Sequence, residues 1–243
     1  MDPSRRRLIT GIAAITAGAA IAAPALATAP RRGGNPNNRW GMVVDLRKCI
    51  GCQACTVACI MENRVPEDSF RTFVSTYEVT TESSAGEVML PRLCNHCSQP
   101  ACVPVCPVGA TFQQLDGAVV IDADRCVGCG YCVQACPYDA RFINHDTDTA
   151  DKCTFCAHRL AAGLLPACVE TCVGGARVFG DLNDPASTVR HLIDTAPGGV
   201  KVLKPEQGTG PNVYYIGLDE RFQGRVVGVP TLWHPSGAEE ARS

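Results

Sequence analysis

Sixteen of the 243 residues are cysteine, and four short groups account for all of them. Group one is Cys49, Cys52, Cys55 and Cys59, a C-x2-C-x2-C-x3-C run. Group two is Cys94, Cys97, Cys102 and Cys106, with gaps of two, four and three residues. Group three, Cys126, Cys129, Cys132 and Cys136, repeats the spacing of group one. Group four is Cys153, Cys156, Cys168 and Cys172, with gaps of two, eleven and three. Such crowding constrains the fold more than the rest of the composition does. The chain is 46% hydrophobic but only 6% aromatic, and alanine makes up much of the apolar fraction. Its core is therefore thin for its length, and ligation at the cysteines must supply folding energy that side-chain packing does not.

Cysteine count alone leaves disulfides, zinc and iron–sulfur clusters open. The spacing decides among them. A disulfide framework spreads its cysteines to staple distant loops, whereas here four fall within residues 49–59. Paired C-x2-C knuckles suit zinc, but the third cysteine three residues further on in groups one and three does not. Radical chemistry on C-x3-C-x2-C is excluded, since the required last position holds Glu62, Gly109, Asp139 or Gly175. What remains is the bacterial ferredoxin run, completed in group three by Cys136-Pro137. A tight loop of this kind wraps three thiolates round a cubane and turns backbone N–H groups toward the sulfurs. The fourth cysteine, on the next helical turn, faces a second cluster.

The run is repeated. KCIGCQACTVAC (48–59) matches RCVGCGYCVQAC (125–136), and PACVPVCPVGA (100–110) matches PACVETCVGGA (166–176). Groups one and two thus read as a duplicate of groups three and four, giving two dicluster units and four [4Fe–4S] clusters. Groups two and three end in Cys-Pro while one and four do not, which suggests pairing two with three and one with four. Around the groups, Trp40 to Leu46 reads as a strand, and Ala110 to Asp122 as a hairpin turning at Asp116-Gly117. Arg71 to Arg92 reads as a second hairpin around Ser83 to Gly86. The expected fold class is α+β and loop-rich. Residues 237–243 should fray.

The first 29 residues read as an export signal of the twin-arginine type, weak hydrophobicity and a small-residue end favouring it over a transmembrane anchor. Arg5, Arg6 and Arg7 precede a mildly apolar stretch that ends in Ala25-Leu26-Ala27, a small-residue cleavage pattern. Residues 30–38 are a polar Pro/Gly/Asn linker. No later stretch is long and apolar enough to span a bilayer. The formal net charge of −2 gives no sign of a nucleic-acid partner. It counts the cysteines as neutral, so loaded clusters make the protein distinctly more acidic.

Several stretches beyond the cysteines resemble one family: LRKCIGCQACTVAC (46–59), PRLCNHC (91–97), PACVPVCPVGATFQ (100–113), CVQACPYDARFINH (132–145), ADKCTFCAHRL (150–160), AGLLPACVETCVGGAR (162–177) and VLKPEQGTGPNVYYIGLD (202–219). They are similar to the four-cluster iron–sulfur subunits of the complex iron–sulfur molybdoenzymes, and most of all to the tetrathionate-reducing branch. The resemblance covers essentially the whole chain after the signal. It implies two intertwined ferredoxin-like units within residues 39–183, formed by 40–63 with 148–183 and by 88–147, followed by a docking segment at 184–243. It further implies one cluster on Cys49, Cys52, Cys55 and Cys172, and a second on Cys59, Cys153, Cys156 and Cys168. A third is implied on Cys106, Cys126, Cys129 and Cys132, and a fourth on Cys94, Cys97, Cys102 and Cys136. The implied role is non-catalytic. Electrons pass from a quinol-oxidising integral membrane subunit to a molybdopterin catalytic subunit, which reduces tetrathionate to thiosulfate. The implied location is the outer, periplasmic face of the cytoplasmic membrane, with the Cys94 cluster at the membrane end and the Cys49 cluster nearest the catalytic subunit. Equivalent subunits for polysulfide, thiosulfate, dimethyl sulfoxide or nitrite reduction, or a free polyferredoxin carrier, are the alternatives. The roughly sixty residues beyond Gly180 exceed what a minimal carrier needs.

Lys48, Arg125 and Lys152 immediately precede the first cysteine of a group, and Arg92 lies two before Cys94. A cubane on four thiolates is anionic, so these cations either offset its burial or simply flank exposed loops. His96, between Cys94 and Cys97, is expected to pack or to accept a hydrogen bond, since its group already has four cysteines. No nucleophile motif or phosphate-binding glycine loop is present.

Overall fold

Met42, Val43 and Val44 are apolar, two of them β-branched, and have no exposed surface in a computed structural model that describes residues 31–80, 85–218 and 226–232. They form the middle of β1 (Trp40–Asp45). A strand with both faces covered must be central, and β1 is: it pairs antiparallel with β8 (Arg177–Asp181) and parallel with β9 (Val213–Ile216). One face packs on the main core, where Met42 and Val44 meet Phe155, Phe179, Val213 and Tyr215. Behind the other face lies α5 (Thr188–Thr195), whose Val189 is sealed against Val43 and Ile216. The described part of the expected docking segment therefore supplies two strands and a helix to the fold itself.

A second three-stranded sheet has the order β10-β2-β3. Strands β2 (Thr72–Thr80) and β3 (Ala85–Leu93) form the expected long hairpin, in register from Thr72 opposite Leu93 to Thr80 opposite Ala85. Strand β10 (Val226–Leu232) covers the outer edge of β2. The predicted turn at Asp116-Gly117 joins β4 (Thr111–Gln113) to β5 (Val119–Ile121). Gly117 there has φ 88°, and the Asp116 carboxylate accepts from the Ala118 N–H. A further hairpin, β6 (Phe142–Asn144) with β7 (Thr149–Asp151), follows group three.

The helices are short because they are cysteine turns. The longest, α1 (Ala54–Asn63), carries Cys55 and Cys59; α2 (Tyr131–Gln134) carries Cys132; α3 (Ala157–Ala161) follows Cys156; α4 (Ala167–Glu170) carries Cys168. Both α1 and α2 start from residues in the left-handed region, Gln53 and Gly130, as a chain must when it folds back tightly round a ligand. Mixed α and β structure is thus present, strung between small sheets. No described helix is long and apolar enough to cross a membrane. The expected export signal, the Ser83-Ser84 tip of the long hairpin and residues 237–243 lie outside the described residues.

Candidate functional site

Loops and helix starts gather the cysteines from distant parts of the chain. Cys59 on α1 meets Cys153, Cys156 and Cys168 round a cavity of about 290 Å3, mouth included. Cys49, Cys52 and Cys55 line another, of about 340 Å3, with Cys172. A third cavity of about 340 Å3 is lined by Cys94, Cys97, Cys102 and Cys136. Cys132 and Cys126 pack in a small core beside Cys102, and the Ala150 N–H donates to Cys126 Sγ at 3.3 Å. Each of the three cavities thus takes three cysteines from one group and one from another.

Close backbone approach fixes these crossings. At Gly174, just after Cys172, a Cβ would lie 2.3 Å from the Lys48 carbonyl oxygen. Only glycine lets the end of group four lie against the start of group one. Gly128 does the same in group three, where a Cβ would lie 2.3 Å from the Asp148 carbonyl oxygen and φ is +66°.

Successive sets adjoin. Cys55, Cys168, Cys153 and Cys94 lie in one buried cluster, where the charge of Cys55 bears on Cys168 and that of Cys94 on Cys153. Cys102 shares its small core with Cys132 and Cys126. The order is therefore the Cys49 set, the Cys59 set, the Cys94 set and the Cys126–Cys132 set. This corrects the expectation that the Cys94 set is terminal; it lies between two others. Cys52 and Cys129 are exposed, one in each end set, and the other fourteen cysteines are buried or partly so.

Does this chemistry suit an iron–sulfur cluster? The thiols of Cys59, Cys97, Cys102 and Cys153 are held where burial disfavours the thiolate. Burial pushes Cys59 up to about 12, helped by Cys168 and Cys156, and pushes Cys97 to about 12 and Cys102 to about 11. Cys153 is raised well above its ordinary value by burial and by Cys168 and Cys59. Thiolates so placed need strongly positive partners, which iron provides. At Cys106, burial is outweighed by N–H groups of Thr111, Ala110, Val108 and Gly109, which hold the thiol below its ordinary value. The Ala176 N–H donates to Cys172 Sγ at 3.2 Å and the Phe155 N–H to Cys153 Sγ at 3.4 Å. Two buried donors beside the cavities, Nε of Arg141 and Nη1 of Arg177, have no acceptor from the protein. Orphaned donors facing cysteine-lined cavities fit sulfur-rich anions.

Of the four basic residues that flank cysteine groups, only Lys152 is fully buried. Its Nζ donates to the carbonyl oxygens of Val119 and Cys153. Lys48 and Arg125 are exposed, and Arg92 is half-buried over the Phe73 ring. His96 behaves as expected of a packing residue. Its Nδ1 accepts from the Val119 N–H at 3.0 Å, and its ring stacks on Phe155 with centroids 3.6 Å apart. Burial, with Lys152 and Arg141 nearby, holds its pKa well below the ordinary value, so it is neutral.

Other contributors escape motif reading. Arg141 donates to Cys102 Sγ at 3.0 Å, and Arg177 lines the Cys49 cavity. Each lies five residues after the last cysteine of its group, at Cys136 and Cys172, a spacing that could have revealed them. Asn63 donates to Cys59 Sγ at 3.5 Å and is held there by Arg71, which also pairs with Asp151 at 2.8 Å. Thr209 bonds the Tyr138 hydroxyl at 2.6 Å, and its carbonyl accepts from the Gln99 N–H beside Cys97.

A family model described as a 4Fe-4S dicluster domain matches residues 86–182. The chain is 56% identical to the B subunit of tetrathionate reductase from Salmonella typhimurium, over 96% of each chain. It is 44% identical to the B subunit of tetrathionate reductase from Archaeoglobus fulgidus, over 76% of this chain and 89% of the relative. It is 42% identical to the B subunit of selenate reductase from Mesobacillus selenatarsenatis, over 73% of this chain and 72% of the relative. The cysteine sets, their hydrogen-bond donors and these likenesses agree: the chain belongs to the iron–sulfur subunit family that includes the B subunits of tetrathionate reductases.

Proposed function

We propose that this chain is the electron-transfer subunit of a respiratory reductase, holding four [4Fe–4S] clusters between a quinol-oxidising membrane subunit and a molybdopterin catalytic subunit that reduces tetrathionate to thiosulfate. The ligand sets are those implied by the resemblance. They are Cys49, Cys52, Cys55 and Cys172; Cys59, Cys153, Cys156 and Cys168; Cys94, Cys97, Cys102 and Cys136; and Cys106, Cys126, Cys129 and Cys132. Each bound cluster supplies one-electron oxidation and reduction. The protein carries out no chemistry on the terminal acceptor.

One observation carries the reading: the cysteine sets adjoin in a line whose exposed members, Cys52 and Cys129, belong to its two ends. A relay needs a contact point at each end and insulation between them. Apolar side chains stand exposed beside both. Ile50 and Val173 flank the first end, at 64% and 76% exposure, and Val127 and Tyr131 flank the second, at 63% and 56%. Exposed apolar groups of this kind suit burial against partners. The Cys49 end would face the catalytic subunit and the Cys129 end the membrane subunit. Export by the twin-arginine signal would bring the loaded protein to the outer face of the cytoplasmic membrane, where thiols without clusters would oxidise.

Anaerobic titration of the purified protein with dithionite should consume about four electrons per chain. Uptake of two or fewer would contradict the reading. Cys172→Ser should alter the spectrum of the cluster on Cys49, Cys52 and Cys55 and spare the one on Cys153, Cys156 and Cys168. The reverse would overturn the pairing. The likeness to the selenate reductase relative supports a second acceptor, selenate, on the same relay. Reconstitution with each catalytic subunit separates the two.

A further inference from the structure

The line of cysteine sets has three intervals, and a buried cation stands at each. Arg177, 3% exposed, lines the cavity of Cys49, Cys52, Cys55 and Cys172. Its charge bears also on Cys168, a member of the next set. One of its terminal nitrogens donates to Thr72 Oγ1 at 2.8 Å and the other has no protein acceptor. Lys152, 1% exposed, lies between the second and third sets; its ammonium donates to the Cys153 carbonyl at 2.6 Å and to the Val119 carbonyl, and its charge bears on both Cys153 and Cys102. Arg141, 4% exposed, lines the cavity of Cys94, Cys97, Cys102 and Cys136 and donates to Cys102 Sγ at 3.0 Å. Its charge bears also on Cys132 of the fourth set.

None of the three forms a salt bridge with a carboxylate among the described residues. Burying a cation without an anionic partner is strongly unfavourable, and an orphaned N–H adds to the cost. Among the described residues, the anionic groups that bear on all three are the cysteine sets. We infer that Arg177, Lys152 and Arg141 are shared counter-charges, each serving the two ligand sets on either side of it and so coupling the potentials of neighbouring clusters.

The sign follows from charge. Reduction adds one negative charge to a cluster, and a nearby buried cation favours the more negative state. Each cation therefore raises the potentials of both neighbours and offsets part of the cost of reducing both. Three cations spread along the line keep an electron from being trapped at one set. These are positioning residues, since they act through the ligand sulfurs and on charge alone.

The inference rests on the four-cluster reading, so its test reports cluster content and potential separately. Signals in an anaerobic redox titration followed by electron paramagnetic resonance are first assigned with Cys52→Ser, Cys156→Ser, Cys97→Ser and Cys129→Ser. Iron and sulfide per chain, measured on every sample, test the reading itself. With content unchanged, Arg141→Gln should lower the third and fourth potentials together. At a fixed potential each should show at least a tenfold smaller reduced-to-oxidised ratio, about 59 mV for one electron. Arg177→Gln should move the first and second instead. Arg141→Lys keeps the charge without the fork and should hold both potentials near those of the parent, which a purely structural role would not predict. If Arg141→Gln fails to load iron, Lys152→Met decides by the same criterion on the second and third signals, because Lys152 bonds only carbonyl oxygens. A shift in one neighbour alone, an equal shift in all four, or no shift would overturn the inference.

Discussion

The half built on groups one and four reaches from Cys49 to Cys172, whereas the half built on groups two and three closes between Cys94 and Cys136. The first gathers residues more than a hundred positions apart, and the second is local. Their surroundings differ to match. The long-range half sits in the main core, with the Trp40–Phe179 stack at 5.4 Å and Phe155 set edge-on to Phe179. The local half has a small core of Val103, Val119 and Ala150 with Cys102 and Cys132. Closing a long loop costs conformational entropy that must be recovered by packing or ligation. The half with the larger closure cost has the β8-β1-β9 sheet and most of the aromatic core, which Cys94 and His96 of the local half also join; the local half otherwise relies on short hairpins and on its ligands.

The largest expected effect tests the crossing that closes the long-range half. Gly174→Ala puts a methyl against the Lys48 carbonyl, so iron per chain should fall and the signal of the Cys49 set should go first. Gly86→Ala, where nothing lies within 4 Å, is the control and should leave iron unchanged. Full iron in Gly174→Ala would remove the crossing as the closure point.

Next come the cores. Phe155→Ala should destabilise the chain by about 3–5 kcal/mol, the usual cost of an aromatic cavity. Val119→Ala in the small core should cost about 1–3 kcal/mol. Chemical denaturation of cluster-loaded protein measures both. Equal costs would mean that the halves share their packing more evenly than their cores suggest.

The polar clamp on the local half should matter less. Tyr138→Phe removes the bond to Thr209 and should cost about 0.5–1.5 kcal/mol. The effect should be visible as faster exchange with chelator at the Cys94 set and not at the Cys49 set.

The smallest expected effect is acid sensitivity in the long-range half. Arg47 holds the Asp45 carboxyl below its ordinary value, and His158 and Arg159 do the same for Glu62. A depressed carboxylate contributes stability that is present above its unfolded pKa and is lost as pH falls through the folded one. Stability from both therefore fades below the ordinary carboxylate range. Glu62 ties α1 to α3, so Glu62→Gln should flatten the fall of the thermal midpoint on acidification, slightly because the group is solvent-screened. An unchanged slope would show that this tie contributes nothing.

Sequence reading went furthest where physics is local. The four cysteine groups, the β1 strand and the Asp116-Gly117 hairpin are legible because ligand spacing, strand patterning and turn chemistry operate within a few residues. The long hairpin of β2 and β3 is legible for the same reason. The order of the sets was not legible: it depends on Cys153 and Cys94 sharing one buried cluster, a long-range packing that no local pattern encodes. Nor was the place of the C-terminal strands, since β9 joins β1 across most of the chain. The flanking basic residues stayed open between two roles, because chain neighbours of a cysteine can point to solvent or inward. Only Lys152 is fully buried among them, while from beyond the last cysteine of a group Arg141 reaches a sulfur and Arg177 lines a cysteine cavity.

The central claim is that sixteen cysteines hold four clusters. Iron and acid-labile sulfide, measured on anaerobically purified protein, test it most directly. The account predicts about sixteen of each per chain. About eight of each would leave one half without clusters and contradict the four-set relay.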